Sequence, residues 1–292
     1  MLKHTPLTII IEKLTGLCFV LLITPVMTFS QSVSIMSYNL RYDNPGDSLN
    51  SWDHRKEQLA NEVLFYNPDF MGVQEGLHHQ VKYLAEHLSN REFIGVGRKD
   101  GKEKGEYSAI FYNTKKFELM PGTDSTIWLS ETPGRPSTGW DAALPRILTW
   151  GQFQSKLNGE LIYVFNTHFD HRGKIARAKS AELILKIIKK IAGNAPAVLT
   201  GDFNVPEQKK PYQIIAGSFM RDAWYVSELK PVGPEFTYSG FSVCNSSAHK
   251  ARIDYVFVNQ EIKVNKIAAI SNFRNGYFLS DHIPVYCEIS LD

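Results

Sequence analysis

The sequence predicts an α/β fold in which two β-sheets pack on each other with helices outside. Three observations predict it. A β-α-β alternation occurs twice along the chain. Short apolar runs such as Phe70-Met71-Gly72-Val73 and Ala197-Val198-Leu199 have the composition of buried strands. The stretch Ile175–Ile191 has helical periodicity, with Leu183, Ile184, Ile187, Ile188 and Ile191 on one face and lysines on the other. The 292 residues, 43% hydrophobic and 21% charged, have ordinary globular composition. Without a low-complexity linker or a fixed-period repeat, one domain over residues 31–292 is the economical reading.

Taken in order, Ser32–Leu40 alternates as a strand and enters the turn-rich Asn44-Pro45-Gly46-Asp47. Trp52–Tyr66 has helical spacing (Leu59, Val63, Leu64, Tyr66), with Ser51 or Asp53 as N-cap, and Pro68-Asp69 ends it. Phe70–Val73 is a strand leading to Gln74-Glu75, and His78–Leu88 is again helical. Tyr107–Tyr112 and Leu161–Thr167 read as strands, the second delivering His168. The charged stretch 98–106 reads as a solvated hairpin tip. Trp128–Arg146 reads as a long surface excursion, a kind of loop that is often functional. Arg252–Val258, Ala268–Ile270 and Val285–Leu291 complete the strands.

Residues 1–30 read as a secretory signal. Lys3 and Lys13 supply positive charge, Leu14–Met27 is apolar, and Thr28-Phe29-Ser30 offers small side chains for cleavage before Gln31. The apolar run is short for a membrane span, so the expected product is exported, periplasmic or extracellular, without stable membrane insertion. The net charge of +2 falls to +1 once these residues leave, because two lysines and one glutamate go with them. That balance excludes the strongly basic profile of a dedicated nucleic-acid binder, though not an enzyme that touches a few phosphates. Cleavage leaves Cys244 and Cys287, which lack metal-site spacing. A disulfide and a buried free thiol at Cys287 both remain open. Nothing in the sequence points to a protein partner.

The chemistry is concentrated where strands end. In Gly201-Asp202-Phe203-Asn204 the glycine breaks a buried strand, and alternation puts Asp202 and Asn204 on one face. An acid beside an amide there suits activation of water next to a phosphate oxygen; as a bare tetrapeptide it is also simply turn-prone. Asn39, Glu75, His168, Asp254, Asp281 and His282 likewise follow or sit within apolar runs, so all could meet at one sheet edge. Glu75, Asp202 and Asp281 are hard oxygen ligands, suited to Mg²⁺ or Mn²⁺ rather than zinc. His168 and His282 are possible donors to phosphate oxygens, and Asp254 is of a type to orient an imidazole. There is no nucleophilic-serine motif and no glycine-rich phosphate loop.

Ser37-Tyr38-Asn39, Gln74-Glu75, Asn166-Thr167-His168, Gly201-Asp202-Phe203-Asn204, Ile253-Asp254-Tyr255 and Ser280-Asp281-His282 occur in that order. The set resembles the endonuclease/exonuclease/phosphatase family, which includes DNase I, apurinic endonucleases, deadenylases, inositol polyphosphate 5-phosphatases and sphingomyelinases. The resemblance implies a DNase I-like four-layer α/β sandwich and a divalent-metal-dependent phosphoric ester hydrolase. It implies Glu75 as principal metal ligand, with Asn39 in the metal and phosphate site and Asp281 as a further ligand. Asp202 would position or deprotonate the attacking water, Asn204 hold the phosphate or that water, and His168 contact the phosphate. His282, paired with Asp254, would stabilise the transition state. Asp43 would be a second-sphere metal contact and Arg177 a buttress.

Further motifs, among them Gly105–Tyr112, Trp128–Pro133 and Gly139–Arg146, resemble an exported bacterial branch near the deadenylase-type exonucleases. Trp140 and Arg146 are the expected substrate contacts. The leading expectation is a nuclease or phosphodiesterase acting on DNA or RNA. The alternative is a phosphatase or phosphodiesterase of a small phosphorylated metabolite, sugar or lipid headgroup. A non-catalytic binder on the same scaffold is a third reading, against which the intact set of acids and histidines argues.

Overall fold

Alternation along four strands decides where the site lies. The structure is a computed structural model that describes residues 31–243 and 251–291; the signal segment and Cys244 lie outside the described residues. In chain order the chain forms β1 (Ser32–Asn39), α1 (Trp52–Tyr66), β2 (Phe70–Gln74), α2 (His78–His87), β3 (Arg91–Ile94), β4 (Ile110–Asn113), β5 (Phe117–Leu119), β6 (Ser125–Trp128) and β7 (Ile147–Ser155). It continues with β8 (Leu161–His168), α3 (Lys174–Ile191), β9 (Ala197–Asp202), α4 (Lys210–Ala216), β10 (Arg221–Asp222), α5 (Ala223–Val226) and β11 (Asp254–Val258). It ends with β12 (Ile262–Ala269), β13 (Phe273–Arg274), β14 (Tyr277–Phe278) and β15 (Val285–Leu291).

The first sheet runs β12-β15-β1-β2-β4-β3, and the second runs β10-β11-β9-β8-β7-β5 with β6 also on β7. Both are mixed: β1 and β2 are parallel, as are β8 and β9, and their other neighbours are antiparallel. Inward residues of both sheets, including Val33, Ile35, Phe70, Phe153, Val164, Val198, Val256 and Cys287, form one apolar interlayer. The outward residues pack under helices. Met36, Tyr38, Met71 and Val73 meet α1 and α2 through Leu59, Val63, Val81 and Leu84. Leu148, Phe165, Leu199 and Phe257 meet α3 and α4 through Ala181, Ile184, Ile188 and Ile215. The order of layers is therefore helix, sheet, sheet, helix, a DNase I-like α/β sandwich. No helix among the described residues is long and apolar enough to cross a membrane.

The expected helices match α1, α2 and α3 to within a residue, and β15 has its expected bounds. Ser51 occupies the N-cap position of α1 without a side-chain capping bond. Strand β7, nine residues between β8 and the edge strands β5 and β6 of the second sheet, is not anticipated by the sequence reading. Gly151 at its centre weakens the strand signal. Its reason is packing, since a Cβ there would stand 2.8 Å from Ile94 Cδ1 and 3.0 Å from Leu119 Cδ1. Cys287 is a buried free thiol, kept protonated by its apolar surroundings.

Along β1, β2, β8 and β9 the inward stripe changes character in steps. Ile35, Ser37, Asn39 on β1 are followed across the gap by Val164, Asn166, His168 on β8 and Val198, Thr200, Asp202 on β9. Between the apolar and the terminal residues lies a buried polar layer. Gln74 Nε2 donates to Asn166 Oδ1 at 2.7 Å, Thr200 Oγ1 to the same oxygen at 3.0 Å, and Asn166 Nδ2 to the Val73 and Ala109 carbonyls at 2.8 and 2.9 Å. These bonds join the two sheets directly beneath the strand ends. Gly72 is required here, because a Cβ would lie 2.1 Å from Thr200 Oγ1.

Candidate active site

The strand register brings the terminal residues together. His168 pairs with Asp202 across β8 and β9, and Asp254 with Asp202 across β9 and β11. Asn39 reaches over from the first sheet, its Nδ2 donating to Asp202 Oδ2 at 3.0 Å and Glu75 Oε1 at 3.2 Å. Glu75 follows β2 in the left-handed region at φ 62°, and Asn204 is in the same region at φ 51°. Non-glycine residues seldom adopt this conformation and do so mainly where surroundings impose it. Here the Tyr42 amide donates to Glu75 Oε2 at 3.2 Å, and the Asn204 amide to Asp202 Oδ1 at 2.8 Å. Gly201 does not break the strand: it and Asp202 are the last residues of β9, and the chain leaves the sheet at Phe203-Asn204, within the site.

Glu75, His168, Asp202 and Asn204, together with His282, Asp281, Arg41, Arg98, Glu106 and Arg146, line a cavity of about 610 Å³, while Asn39 and Asp254 are buried behind that lining. Asp254 Oδ2 accepts from His282 Nδ1 at 2.8 Å, and His282 Nε2 lies 3.7 Å from Asp202 Oδ2. Burial opposes a charge on His282, yet Asp254 and then Asp202 hold its pKa well above the ordinary imidazole value. Burial and the neighbouring Asp254 carboxylate push Asp202 above the usual carboxylate range. His168 goes the other way: burial, with Arg146 and Arg98 nearby, drives its pKa well below the ordinary value. Asn204 Nδ2 donates to the Phe169 carbonyl and meets His168 Nε2, both at 3.0 Å. His168 Nε2 also lies 3.3 Å from Asp202 Oδ2, and Nδ1 faces Glu106 Oε2 at 4.0 Å.

Among the described residues, two groups place ligand atoms within 4.8 Å of one another: Glu75 with His168 and Asp202, and Asp202 with Asp254 and His282. The donor chemistry fits a hard divalent cation, since Glu75 and Asp202 present carboxylate oxygens and, among the described residues, no thiol lines the cavity; Asn39 turns Nδ2 to both carboxylates and its Oδ1 accepts from the Arg41 amide. Asp281 lines the cavity but belongs to neither group. Its Oδ2 faces Arg41 at 3.5 Å, and burial raises its pKa.

The expected substrate contacts divide. Arg146 is a cavity wall, buried, with Nε 3.4 Å from Asp170 Oδ2 and Nη2 3.1 Å from His171 Nδ1. Trp140 is not among the cavity-lining residues. Its backbone N–H donates to Glu131, and its neighbour Asp141 accepts from the Ala176 and Ile175 amides at 2.6 and 3.2 Å, capping α3. This part of the loop packs against a helix start. Arg177 also stays out of the cavity, donating from Nη1 to the Asp170 carbonyl at 2.8 Å behind Arg146. Asp43 bonds His79 at the surface at 3.0 Å.

The 98–106 stretch is a correction. Its tip is exposed, but Arg98 and Glu106 turn inward and form an ion pair on the cavity wall. Trp128 Nε1 fixes the loop through the Arg98 carbonyl at 2.7 Å, and burial lowers the Arg98 pKa to about 10. Alternating charge hides this pair in the sequence. The available signal is that Glu106 directly precedes the apolar Tyr107–Tyr112 run, as Glu75 follows one.

Comparison with known proteins agrees with the geometry. The model of the Endonuclease/Exonuclease/phosphatase family matches residues 36–282. A family member of known structure from Bacteroides vulgatus is 38% identical, with a TM-score of 0.86 over 90% of this chain and 100% of that one. A mannosyl-6-phosphatase from Bacteroides thetaiotaomicron is also 38% identical, with a TM-score of 0.82 over 88% of this chain and 99% of its own. The 3'-5'-exoribonuclease subunit Ccr4 of Mycosarcoma maydis is 22% identical over 89% of this chain, which spans about half (51%) of that protein. The protein belongs to the endonuclease/exonuclease/phosphatase family of phosphoester hydrolases.

Proposed function

We propose that this protein is an exported, divalent-metal-dependent hydrolase that removes phosphate from a small hydroxyl-rich molecule, with a phosphorylated sugar as substrate. The observation that carries this reading is the charge of the cavity. Arg41, Arg98 and Arg146 face Glu75, Glu106, Asp202 and Asp281. With a divalent cation added and the His282 cation matched by Asp254, the small positive surplus suits one phosphate group, not the repeated phosphates of a nucleic acid. The likeness to a mannosyl-6-phosphatase supports the same substrate class. The relation to Ccr4 supports the nuclease reading, which the weak basic balance of the chain disfavours. The leader read from residues 1–30 supports export.

Glu75 and Asp202 would hold the cation, with Asn39 Nδ2 bonding both carboxylates, and the cation would draw negative charge from the phosphoryl group. Asp202 would position the attacking water and accept its proton. Asn204, its amide fixed on Phe169 and His168, orients that water or a phosphoryl oxygen. His282 carries a proton at Nε2 toward the oxygens that gain charge as the P–O bond breaks, while Asp254 holds it cationic through Nδ1. Neutral His168 lies beside them without adding a second charge.

Turnover of mannose 6-phosphate, bis(p-nitrophenyl) phosphate and single-stranded RNA, with Mg²⁺ and with EDTA, tests the reading. Mannose 6-phosphate is expected to exceed RNA in kcat/KM, and EDTA to abolish activity. Glu75→Gln is expected to lower kcat at least about a hundredfold with the fold intact. Faster cleavage of RNA overturns the substrate, and undiminished activity in EDTA overturns the metal.

A further inference from the structure

Beside the catalytic cavity lies a second one of about 360 Å³, and residues 251–253 form the wall between them. Ala251 lines both cavities. Ile253 lines only the catalytic one and Arg252 only the second, as alternation along an extended segment requires. The two cavities therefore lie on either side of one small residue, Ala251.

The second cavity is built around a neutralised cation. Arg252 bonds Asp222 and Glu207, each at 2.6 Å, and its guanidinium lies 5.1 Å from the Trp224 ring and 5.6 Å from the Tyr225 ring. The Tyr225 hydroxyl donates to Glu207, which further fixes the ring. Tyr225 is nevertheless 65% exposed, a large aromatic surface held in place with solvent over it. Glu235 stands exposed on the same rim. Among the described lining residues the sole cation, Arg252, is already matched by two carboxylates. The described lining residues thus offer carboxylate acceptors and an aromatic face. That combination suits a neutral polyhydroxyl ring, whose hydroxyls donate to carboxylates and whose apolar face lies on an aromatic.

We infer that this second cavity is a glycan subsite, which binds neutral sugar units attached to the phosphorylated one held in the catalytic cavity. The inference rests on the phosphosugar reading above and extends it from a monosaccharide to an oligosaccharide.

Two substrates that share the scissile group test it: mannose 6-phosphate, and mannotriose carrying the 6-phosphate on a terminal unit. Tyr225→Ala and Glu235→Gln alter exposed side chains, so folding should survive. In Tyr225→Ala the KM for the phosphorylated mannotriose is expected to rise about tenfold, with a smaller rise in Glu235→Gln. KM for mannose 6-phosphate and kcat for both substrates should hold. Equal change for both substrates, or none for either, overturns the subsite. Binding of unphosphorylated mannotriose, followed by tryptophan fluorescence, decides the question independently of turnover. Saturable quenching in the wild type that Tyr225→Ala removes supports the subsite, and its absence overturns it. Retained mannotriose binding without hydrolysis of either phosphosugar counts against the proposed function and leaves the subsite standing.

Discussion

Between the sheets, the same strands carry two kinds of core. At one end Val33, Ile35, Phe70, Val164 and Val198 interdigitate with Phe153 and Val256, and their packing removes apolar surface from water. At the other end Asn39, His168, Asp202 and Asp254 are just as buried, each at most 5% exposed. Backbone geometry, register and alternation are shared by the two ends, so architecture alone does not explain the difference. What differs is the sign of the burial term. Desolvation favours the first end and opposes the second, which persists because its charges are paired on the frame the first end provides, although His168 Nδ1 and Asp254 Oδ1 are buried without a hydrogen-bond partner. The Gln74–Asn166–Thr200 layer sits at the transition, polar but uncharged.

The sharpest test of that contrast is Asp202→Asn. It is expected to lower kcat at least about a thousandfold, because the water loses its proton acceptor. The melting temperature should not fall, since a carboxylate disfavoured by burial is replaced by a neutral isostere. Steady-state kinetics beside thermal melts check both halves of the expectation, and a large loss of stability would break the comparison.

Phe153→Ala is the mirror experiment. Phe153 is fully buried, 4.9 Å from the Phe70 ring and 5.0 Å from that of Tyr112. Its removal is expected to cost about 3–5 kcal/mol of folding stability while kcat of the folded fraction is retained. Chemical denaturation measures the first, and turnover below the unfolding transition measures the second. A kcat loss like that of Asp202→Asn would show that the two ends are not separable.

Glu62 supplies a smaller test of burial acting on a carboxylate away from the site. It lies on α1 and accepts the Tyr38 hydroxyl at 2.9 Å, on the outer face of the first sheet. Burial outweighs its hydrogen bonds and raises its pKa to about 7. The folded chain therefore retains a proton that the unfolded chain releases near pH 4.3. Its stabilising contribution is complete below that pH and is lost as pH rises through about 7. The difference is on the order of 3–4 kcal/mol. Glu62→Gln should flatten this dependence and melt above the wild type at pH 8. Parallel melting curves for the two proteins between pH 4 and 8 would break the account.

Most strand ends were legible because a buried run followed by a polar residue is a local pattern, visible at Asn39, Glu75, His168 and Asp202. The helices α1 and α3 were legible for a similar reason, since their apolar periodicity extends over several turns. The Arg98–Glu106 pair was not, because an ion pair on a cavity wall and one on a solvated hairpin have the same sequence. Strand β7 escaped because Gly151, which weakens the local signal, is explained only by Ile94 and Leu119 packing across it.

The sequence by itself determined the α/β class, the alternation that turns polar strand ends to one face, and the hard-oxygen character of the candidate metal donors. These follow from side-chain period and donor chemistry, both local properties. Tertiary structure alone decided which of those residues meet. Register set Asp202 between His168 and Asp254, while Asn39 crossed from the other sheet to join it with Glu75. It also turned Arg98 and Glu106 inward, committed the Trp140 loop to capping α3 through Asp141, and opened a second cavity behind Ala251. Each depends on where distant segments pack, and the free energy of that packing is shared among contacts that no single stretch of sequence contains.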